Sequence, residues 1–260
     1  MKLEGRKAIV TGGAAGIGRS IALAFADEGA DVVIADVQPE KAGAVVDLIR
    51  GKGRNAAAIS CDVGDSAAVE AMVNSAIAAL GGLDILVNNA GIIAPGAFWE
   101  VSDETWDKII RTNLSSVFYV SRAVARHMIA QGRGGVIINL SSIHATLSEP
   151  NAGPYTAAKG GVEAFSRTMA TELAPWRVRV NCLAPGATYS ELTTPMYTDA
   201  VKAALFQRVP MKEIAQPEWI AAGAVFLAAD DSRYMTGQVL TLDGGYTMDG
   251  SLPGAEYWTE

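Results

Sequence analysis

Short apolar runs alternate along the chain with longer segments in which apolar residues recur at helical spacing. The runs end in Gly, Asp, Asn or Ser and lie at 7–12, 31–36, 56–63, 84–91, 135–142, 178–186 and 238–245. The segments with helical spacing lie at 16–29, 39–51, 66–80, 103–130, 155–174 and 217–229. Apolar runs without alternation are typical of strands buried on both faces. This order predicts an α/β fold with a doubly wound, seven-stranded parallel sheet and helices on both faces.

One domain is expected over residues 1–260, because no linker, repeat or shift in composition interrupts the pattern. The interval 187–215 is an exception, since its periodicity is weak and its length is typical of a lid or binding loop. The segment 246–260 has an aromatic end and no evident helix. It either covers an active site, in its own or a neighbouring subunit, or remains disordered.

Composition and charge narrow the classes of partner. Of the 260 residues, half are hydrophobic, and 21 Lys and Arg against 28 Asp and Glu leave a formal net charge of −7. With no basic block, nucleic acid is not expected as a partner. The longest apolar run, 219–229, is too short to cross a bilayer, and the N-terminal residues do not resemble a secretory signal. Membrane association is therefore not expected.

The cysteine and histidine content indicates the compartment and bears on metal binding. Cys61 and Cys182 are the two cysteines, and both occur in apolar, strand-like segments. This usage is typical of buried thiols in a reducing compartment, so we expect a cytoplasmic protein. With only His127 and His144 as histidines and no ligand cluster, no metal site is expected.

A glycine-rich turn, TGGAAGIG at 11–18, connects the first strand to the first helix. Gly12 permits a tight turn, Gly16 permits a pyrophosphate to approach the backbone, and Gly18 permits close packing of helix and strand. The spacing G-x-x-x-G-x-G differs from the common fingerprint, and any strand-to-helix turn can be rich in glycine. Its position after a strand and before a helix nevertheless predicts a nucleotide site.

Asp36 ends the second strand, 18 residues after Gly18. A carboxylate there can accept hydrogen bonds from the adenosine ribose, and its charge repels a 2′-phosphate. The nearby positions that could carry a basic residue hold Ala14, Ala15 and Val37. The predicted cofactor is therefore NAD rather than NADP. The alternative is that Asp36 only caps the next helix.

Tyr155 and Lys159 stand four positions apart at the start of a predicted helix. Their side chains therefore share one helix face. A tyrosine has a pKa of ~10 and needs help to act as a base at neutral pH, which a nearby ammonium gives by stabilising the phenolate. Taken alone, the pair could also belong to a solvated helix face.

Together with its other motifs, the chain resembles the short-chain dehydrogenase/reductase family from the turn at Thr11 to 243–245. The motifs follow one another as TGGAAGIG, Asp62-Val63, NNAG at 88–91, Asn113, Ser142 thirteen residues before Tyr155, Lys159, and Pro185-Gly186. This resemblance implies a Rossmann fold. It also implies an oxidoreductase that binds a nicotinamide dinucleotide.

The resemblance assigns four residues to catalysis. Ser142 would hydrogen-bond the reacting oxygen, and Tyr155 would be the acid/base. Lys159 would lower the tyrosine pKa and hold the nicotinamide ribose, while Asn113 would position a water in a proton relay. Alcohol oxidation needs one base and one orienting donor as a minimum. Alternatively, Ser142 is a hydrogen-bonding residue at a strand end and Asn113 a polar residue within a helix.

The residues expected to contact the dinucleotide lie in the glycine-rich turn or near the carboxyl ends of strands. They are Gly12, Ala15, Gly16, Ile17, Gly18, Asp36, Asp62, Val63, Asn89, Ala90, Gly91, Tyr155, Lys159, Pro185, Gly186, Thr188 and Ser190. Family members commonly carry an aliphatic residue and a threonine two and four positions after the glycine of the Pro-Gly pair. Here these positions hold Thr188 and Ser190, so the Ser190 hydroxyl could still reach a phosphate.

The loop before the tyrosine carries the expected substrate contacts, and the full set is Ser142, His144, Glu149, Asn151 and Tyr155. His144 would point toward the substrate if the preceding strand stays extended. Glucose 1-dehydrogenases of this family look similar there, with Ser-x-His before the tyrosine and Ala-x-Lys-Gly-Gly after it, where this chain reads Ala158-Lys159-Gly160-Gly161. A polar substrate is therefore favoured, and an aldose 1-dehydrogenase that makes a lactone is expected.

Two other functions stay open. A 3-oxoacyl-carrier-protein reductase shares the scaffold, but it usually prefers NADP and carries basic residues near the first turn. A catalytically idle dinucleotide-binding regulator usually lacks the tyrosine or the lysine, and both are present here. The region of the expected lid also contains cations that could bind an anionic sugar group or remain solvated, namely Lys202, Arg208 and Lys212.

The helices predicted at 103–130 and 155–174 have more apolar surface than one sheet face can hide. Relatives pair these helices across a two-fold axis. A homotetramer is therefore expected, although the sequence does not separate it from a dimer.

Overall fold

The computed structural model describes residues 1–248 of the chain. Seven strands form one sheet: β1 (Lys7–Thr11), β2 (Asp31–Asp36), β3 (Ala56–Ser60), β4 (Ile85–Asn88), β5 (Gly135–Leu140), β6 (Val178–Pro185) and β7 (Val239–Leu242). All pairs of neighbouring strands are parallel, and their order is β3-β2-β1-β4-β5-β6-β7. The predicted single-domain Rossmann fold is confirmed.

Eight α-helices accompany the strands within residues 1–248. They are α1 (Gly16–Asp27), α2 (Pro39–Gly51), α3 (Ser66–Leu80), α4 (Asp103–Ile110), α5 (Ser116–Gln131), α6 (Gly153–Leu173), α7 (Asp199–Arg208) and α8 (Pro217–Ala228). Successive strand residues face opposite sides of the sheet, so Val10 packs in one core and Ile9 in the other. The first core contains α1, α2 and α8, and the second contains α3, α5 and α6. None of the helices in residues 1–248 is long and apolar enough to cross a membrane.

The strand order predicts a ligand site at the carboxyl ends of the central strands. β1 pairs with β2 on one side and with β4 on the other, so the connections run in opposite directions from this point. In open α/β sheets, ligands bind at such a switch point, beyond the carboxyl ends of the strands. The residues that follow these strands therefore form the candidate site.

Three local predictions differ from the structure. The helix predicted at 103–130 is divided by a π-helical segment, Arg111–Ser115. The interval 187–215 contains α7 as well as loop structure. The chain beyond β5 does not stay extended, because Ile143–Ala145 form a short 3-10 helix.

Both cysteines are buried, Cys61 just after β3 and Cys182 within β6. Burial raises the pKa of each thiol to about 11. At pH ~8 the thiolate is then roughly 10²-fold scarcer than in a short peptide, whose cysteine has a pKa of ~8.5. We expect both thiols of the folded protein to react with a chromogenic disulfide reagent at least ~10²-fold more slowly than peptide cysteine. In urea both should react rapidly, and a thiol that reacts at the peptide rate without urea would contradict their burial.

Candidate active site

The glycine-rich turn lies at the carboxyl end of β1 and is bonded to the end of β4. Gly12 and Gly16 have φ angles of 63° and 52°, in the left-handed region that favours glycine. A Cβ on Gly12 would lie 2.8 Å from the Cα of Ala90. The Asn89 side-chain amide donates to the carbonyl oxygens of Thr11 and Gly12 at 3.0 and 2.9 Å. A side chain at Gly12 would therefore collide with the segment after β4, and the left-handed backbone at both positions disfavours any residue other than glycine.

The turn leads into the N-terminus of α1. Its N-cap residue is Ala15, which makes no side-chain capping bond, and the first helical turn contains no acidic residue. The main-chain N–H groups and the positive end of the helix dipole are therefore suited to bind an anion. A Cβ on Gly18 would collide with the carbonyl oxygen of Gly12. This cradle fits the pyrophosphate of a dinucleotide.

Asp36 is fixed beside this turn. Its carboxylate accepts hydrogen bonds from the main-chain N–H of Ala14 at 3.0 Å and of Gln38 at 2.9 Å. Gln38 is the N-cap residue of α2, so Asp36 braces the turn rather than capping the helix directly. Each carboxylate oxygen retains a further lone pair for a ligand hydroxyl. The neighbouring Val37 side chain is exposed.

The other expected cofactor residues surround the same cleft. Asp62 accepts a hydrogen bond from the Gly64 N–H at 2.8 Å, and Val63 is buried beside it. A Cβ on Gly91 would lie 2.7 Å from the side-chain oxygen of Asn113. The segment after β4 is therefore in direct contact with the π-helical segment.

The start of the segment 187–215, the expected lid, contacts the glycine-rich turn. A Cβ on Gly16 would lie 3.1 Å from the Cβ of Ser190. The Thr188 hydroxyl donates to the Gly186 carbonyl oxygen at 3.0 Å, and Thr188 pairs with Ala215 in an isolated parallel bridge. Thr188 therefore anchors the lid, a role that the sequence left open.

Ser142, Tyr155 and Lys159 are brought together between β5 and α6. The Ser142 hydroxyl accepts the N–H of His144 at 3.1 Å and lies close enough to the Tyr155 phenol to lower its pKa. Lys159 is 5% exposed, and its Nζ donates to the Leu140 carbonyl oxygen at 2.6 Å. The same Nζ lies 5.5 Å from the centre of the Tyr155 ring. The geometry places an orienting hydroxyl, a phenol and an ammonium within one cluster.

Burial dominates the electrostatics of this cluster. It raises the pKa of Tyr155, and the hydrogen bond with Ser142 only partly offsets it. Burial also lowers the pKa of Lys159 to about 8, since an ammonium is poorly stabilised away from water. Lowering of the tyrosine pKa by Lys159 is not the leading effect in this structure. That role stays a prediction.

Asn113 lies in the π-helical segment and is buried. Its side-chain nitrogen donates to the carbonyl oxygens of Ile92 and Ile109 at 3.0 and 2.9 Å, and its oxygen accepts the Ile92 N–H at 3.2 Å. π-Helical turns inside α-helices are frequent at functional sites. The side chain ties the segment after β4 to this turn, and its part in a proton relay stays a prediction.

The expected substrate residues occupy the loop between β5 and α6. The 3-10 helix turns His144 so that its Nε2 lies 3.5 Å from Oε2 of Glu149, while its Nδ1 is buried with no partner among residues 1–248. The Asn151 carbonyl oxygen accepts the Gly96 N–H at 2.9 Å. His144 and Glu149 are therefore paired, whereas the Asn151 main chain fastens the loop to the segment after β4.

One residue of the lid was missed by sequence reasoning. The Tyr197 hydroxyl oxygen accepts the Thr188 N–H at 3.1 Å, and its ring packs edge-on to Tyr189 at 5.6 Å. The Tyr197 phenol also raises the pKa of Tyr155, so its electrostatic effect reaches the cluster of Ser142, Tyr155 and Lys159. The sequence places two tyrosines, Tyr189 and Tyr197, in the segment 187–215, but their spacing alone does not show which residues they contact.

Two of the three cations in the segment 187–215 contact another side chain. The Arg208 guanidinium lies over the Tyr246 ring, 5.1 Å from its centre. Lys202 Nζ lies 3.9 Å from the Asp199 carboxylate. Lys212 adopts a φ of 54° in a turn after α7. Tyr246, the first residue of the segment 246–260, therefore contacts the rest of the protein through Arg208. Residues 249–260 lie outside the described residues.

Comparisons with known proteins agree with this geometry. Residues 12–247 match the family model described as Enoyl-(Acyl carrier protein) reductase. The chain is 40% identical to the 3-oxoacyl-(acyl-carrier-protein) reductase FabG of Chlamydia pneumoniae over 245 residues, which cover 94% of this chain and 98% of that protein.

Two solved structures are closely similar. One is a 7α-hydroxysteroid dehydrogenase complexed with NADH and 7-oxo glycochenodeoxycholic acid, with a TM-score of 0.91, 36% identity, and coverage of 94% of this chain and 95% of that one. The other is a gluconate 5-dehydrogenase from Burkholderia cenocepacia J2315 in complex with NADP and tartrate. Its TM-score is 0.91 and its identity 37%, with 95% of this chain and 97% of that chain covered.

Proposed function

The chain belongs to the short-chain dehydrogenase/reductase family, and from this premise we propose that it oxidises the C1 hydroxyl of an aldose with NAD to give a lactone. Membership makes it an oxidoreductase that acts on CH–OH or keto groups and binds a nicotinamide dinucleotide. The choice of NAD and of an aldose is the proposal. The observation that carries the choice of NAD is the Asp36 carboxylate, held at the end of β2 by two main-chain N–H groups, and the choice of an aldose is supported by the pair of His144 and Glu149.

Asp36 supports NAD on electrostatic grounds. The similar structures contain NADH in one case and NADP in the other, so family membership does not decide between them. The Asp36 carboxylate is buried and braced, so it cannot move away from a 2′-phosphate without breaking its bonds to Ala14 and Gln38. A ribose hydroxyl can instead donate to it.

The residues of the catalytic cluster divide the proton chemistry among them. Ser142 donates a hydrogen bond to the reacting oxygen, and the Tyr155 phenolate accepts the proton that leaves the C1 hydroxyl. The Lys159 ammonium stabilises that phenolate and binds the nicotinamide ribose. Bound NAD supplies the hydride acceptor. In the reverse direction, the Tyr155 phenol returns the proton to the carbonyl oxygen.

The polar entrance supports a hydroxylated substrate. His144 and Glu149 form a pair whose imidazole and carboxylate can bind ring hydroxyls, and Asn151 in the same loop is exposed. Arg208 stacks on Tyr246, and Lys202 lies close to Asp199. These contacts favour a neutral aldose over an anionic sugar.

A second candidate is a 3-oxoacyl thioester reductase. The FabG relative favours it, as does an apolar surface beside the substrate loop. Phe98 and Trp99 are 76% and 72% exposed and pack edge-on against each other. The Cβ of Phe98 lies 3.7 Å from the position that a Cβ on Gly153 would occupy, close to Tyr155. Such a surface could contact an acyl chain.

Initial rates with a panel of substrates distinguish the two functions. Aldoses and polyols are assayed with NAD and NADP, and a 3-oxoacyl thioester is assayed with NADH and NADPH. The proposal expects the highest kcat/KM for an aldose with NAD. A higher kcat/KM for the thioester, without activity on any aldose, would establish the second candidate instead.

The substitution His144→Ala tests whether the polar entrance recognises the substrate. Loss of a buried hydrogen-bond partner costs ~1–3 kcal/mol, so we expect kcat/KM for the best aldose to fall ~5- to 150-fold. A small alcohol that does not reach the imidazole should be little affected. His127→Ala, which changes the other histidine, is the matched control and should leave both substrates unaffected. Equal losses for both substrates in His144→Ala would show that His144 is structural.

A further inference from the structure

Glu163 is a buried carboxylate on the face of α6 that carries Tyr155 and Lys159. The three residues follow one another at intervals of four, so their side chains lie on successive turns of one helix face. Glu163 is 8% exposed, and its Oε1 accepts the hydroxyl proton of Ser141 at 2.7 Å. A carboxylate at such a buried position needs a hydrogen-bond partner, and Ser141 provides it.

Ser141 lies between two residues of the catalytic cluster. The residue before it, Leu140, accepts the hydrogen bond of Lys159, and the hydroxyl of the residue after it, Ser142, lowers the pKa of the nearby Tyr155 phenol. Leu140 and Ser141 are therefore each held by a different turn of α6, and Ser142 lies near a third. The Ser141 contact is the central one of the three.

The position of Ser142 depends on this contact. The chain leaves β5 after Leu140 and enters the 3-10 helix at Ile143–Ala145, so strand pairing does not extend to Ser142. The Ser141 N–H donates to the Leu183 carbonyl oxygen at 2.8 Å, and its side chain is held by Glu163. Rotation of this residue would move the Ser142 hydroxyl away from Tyr155.

We propose that Glu163 is a positioning residue for the reaction: its hydrogen bond to Ser141 holds the end of β5 so that the Ser142 hydroxyl faces the reacting oxygen. The inference rests on the proposed catalytic roles of Ser142 and Tyr155. A displacement of ~1 Å at a reacting group can lower the rate ~10²-fold, so a small shift is sufficient.

Two other hydrogen bonds, which do not involve Glu163, stabilise the packing of α6 on β5. The Asn139 side-chain nitrogen donates to the Ser166 hydroxyl oxygen at 2.7 Å, and that hydroxyl donates to the Val162 carbonyl oxygen at 2.7 Å. Both side chains are buried. This contact lies farther from Ser142 and does not involve Glu163. Ser166→Ala is therefore a matched control that weakens the same interface without disturbing the end of the strand.

The experiment compares four variants with the native enzyme: Glu163→Leu, Glu163→Gln, Ser141→Ala and Ser166→Ala. For Glu163→Leu we expect kcat to fall ~10- to 100-fold, while KM and the Kd of NADH stay nearly unchanged. Glu163→Gln keeps an acceptor oxygen and should restore most of kcat. Ser166→Ala should lower Tm and leave kcat unchanged. The double variant Ser141→Ala/Glu163→Leu should be no slower than Glu163→Leu, because each substitution alone already removes the same hydrogen bond between Ser141 and Glu163.

Native kcat in Glu163→Leu, or an equal loss of kcat in Ser166→Ala, would overturn the inference. If Glu163→Leu does not fold, Ser141→Ala tests the same contact alone, and native kcat in that variant would also overturn it. Tyr155→Phe is measured in parallel. An active Tyr155→Phe enzyme would refute the proposed catalytic roles, whereas an inactive one beside an unaffected Glu163→Leu would refute only the role of Glu163.

Discussion

The Tyr155→Phe enzyme is expected to lose ~10²–10⁴-fold in kcat, the range that a positioned acid/base supplies. The substitution removes the phenolic oxygen that accepts the proton and leaves the ring in place. The Kd of NADH should stay nearly unchanged, because the phenol is not a major anchor of the dinucleotide. Initial rates give kcat, and quenching of protein fluorescence by NADH gives Kd.

Two further variants complete this test. Tyr234→Phe changes a fully exposed phenol and should keep native kcat. Lys159→Ala should lower both kcat and NADH affinity, since the ammonium acts on the phenolate and on the ribose. If Tyr155→Phe retained more than roughly a tenth of native kcat, against the ~10²-fold minimum expected, another group would have to be the base.

The second large effect concerns the dinucleotide. Replacing Asp36 with Ala and Val37 with Arg should shift the ratio of kcat/KM for NAD over NADP by ~5- to 10³-fold towards NADP. This range corresponds to ~1–4 kcal/mol for two unit charges about 4 Å apart, from water to the protein surface. The substitution removes the carboxylate beside the glycine-rich turn and adds a cation that can pair with the 2′-phosphate.

Glu40→Ala is the matched control for this experiment. Glu40 lies in the first turn of α2, so the variant removes one negative charge near Asp36 without touching the turn. Its ratio of kcat/KM should stay close to that of the native enzyme. A native enzyme that itself prefers NADP would overturn the assignment of NAD.

The strands of the fold could be predicted closely from the sequence. Parallel strands buried on both faces form continuous apolar runs, and their ends carry residues such as Asp36 and Asn88 that cannot extend those runs. The π-helical segment Arg111–Ser115 could not be predicted, since no proline or glycine marks it. Helix α7 was missed because it buries no residue and therefore lacks an apolar stripe.

The site was predictable where it depends on local spacing. Tyr155 and Lys159 share a face because they are four positions apart in one helix. The contact between Glu163 and Ser141 depends on how α6 is rotated against β5, which local spacing does not determine. The expected orientation of His144 assumed an extended chain, and the 3-10 helix instead brings it to Glu149. In both cases, the position of the side chain depends on how the helix or the loop packs, which the local sequence pattern does not show.

Transfer of deuterium from an aldose labelled at C1 tests the proposed reaction most directly. The native enzyme is incubated with NAD and the labelled aldose, and the NADH and sugar product are analysed by mass spectrometry. The proposed reaction requires NADH that carries the deuterium, together with an unlabelled lactone. Unlabelled NADH would show that the hydride leaves another carbon. Absence of NADH with every aldose, beside reduction of a 3-oxoacyl thioester, would contradict the aldose dehydrogenase assignment.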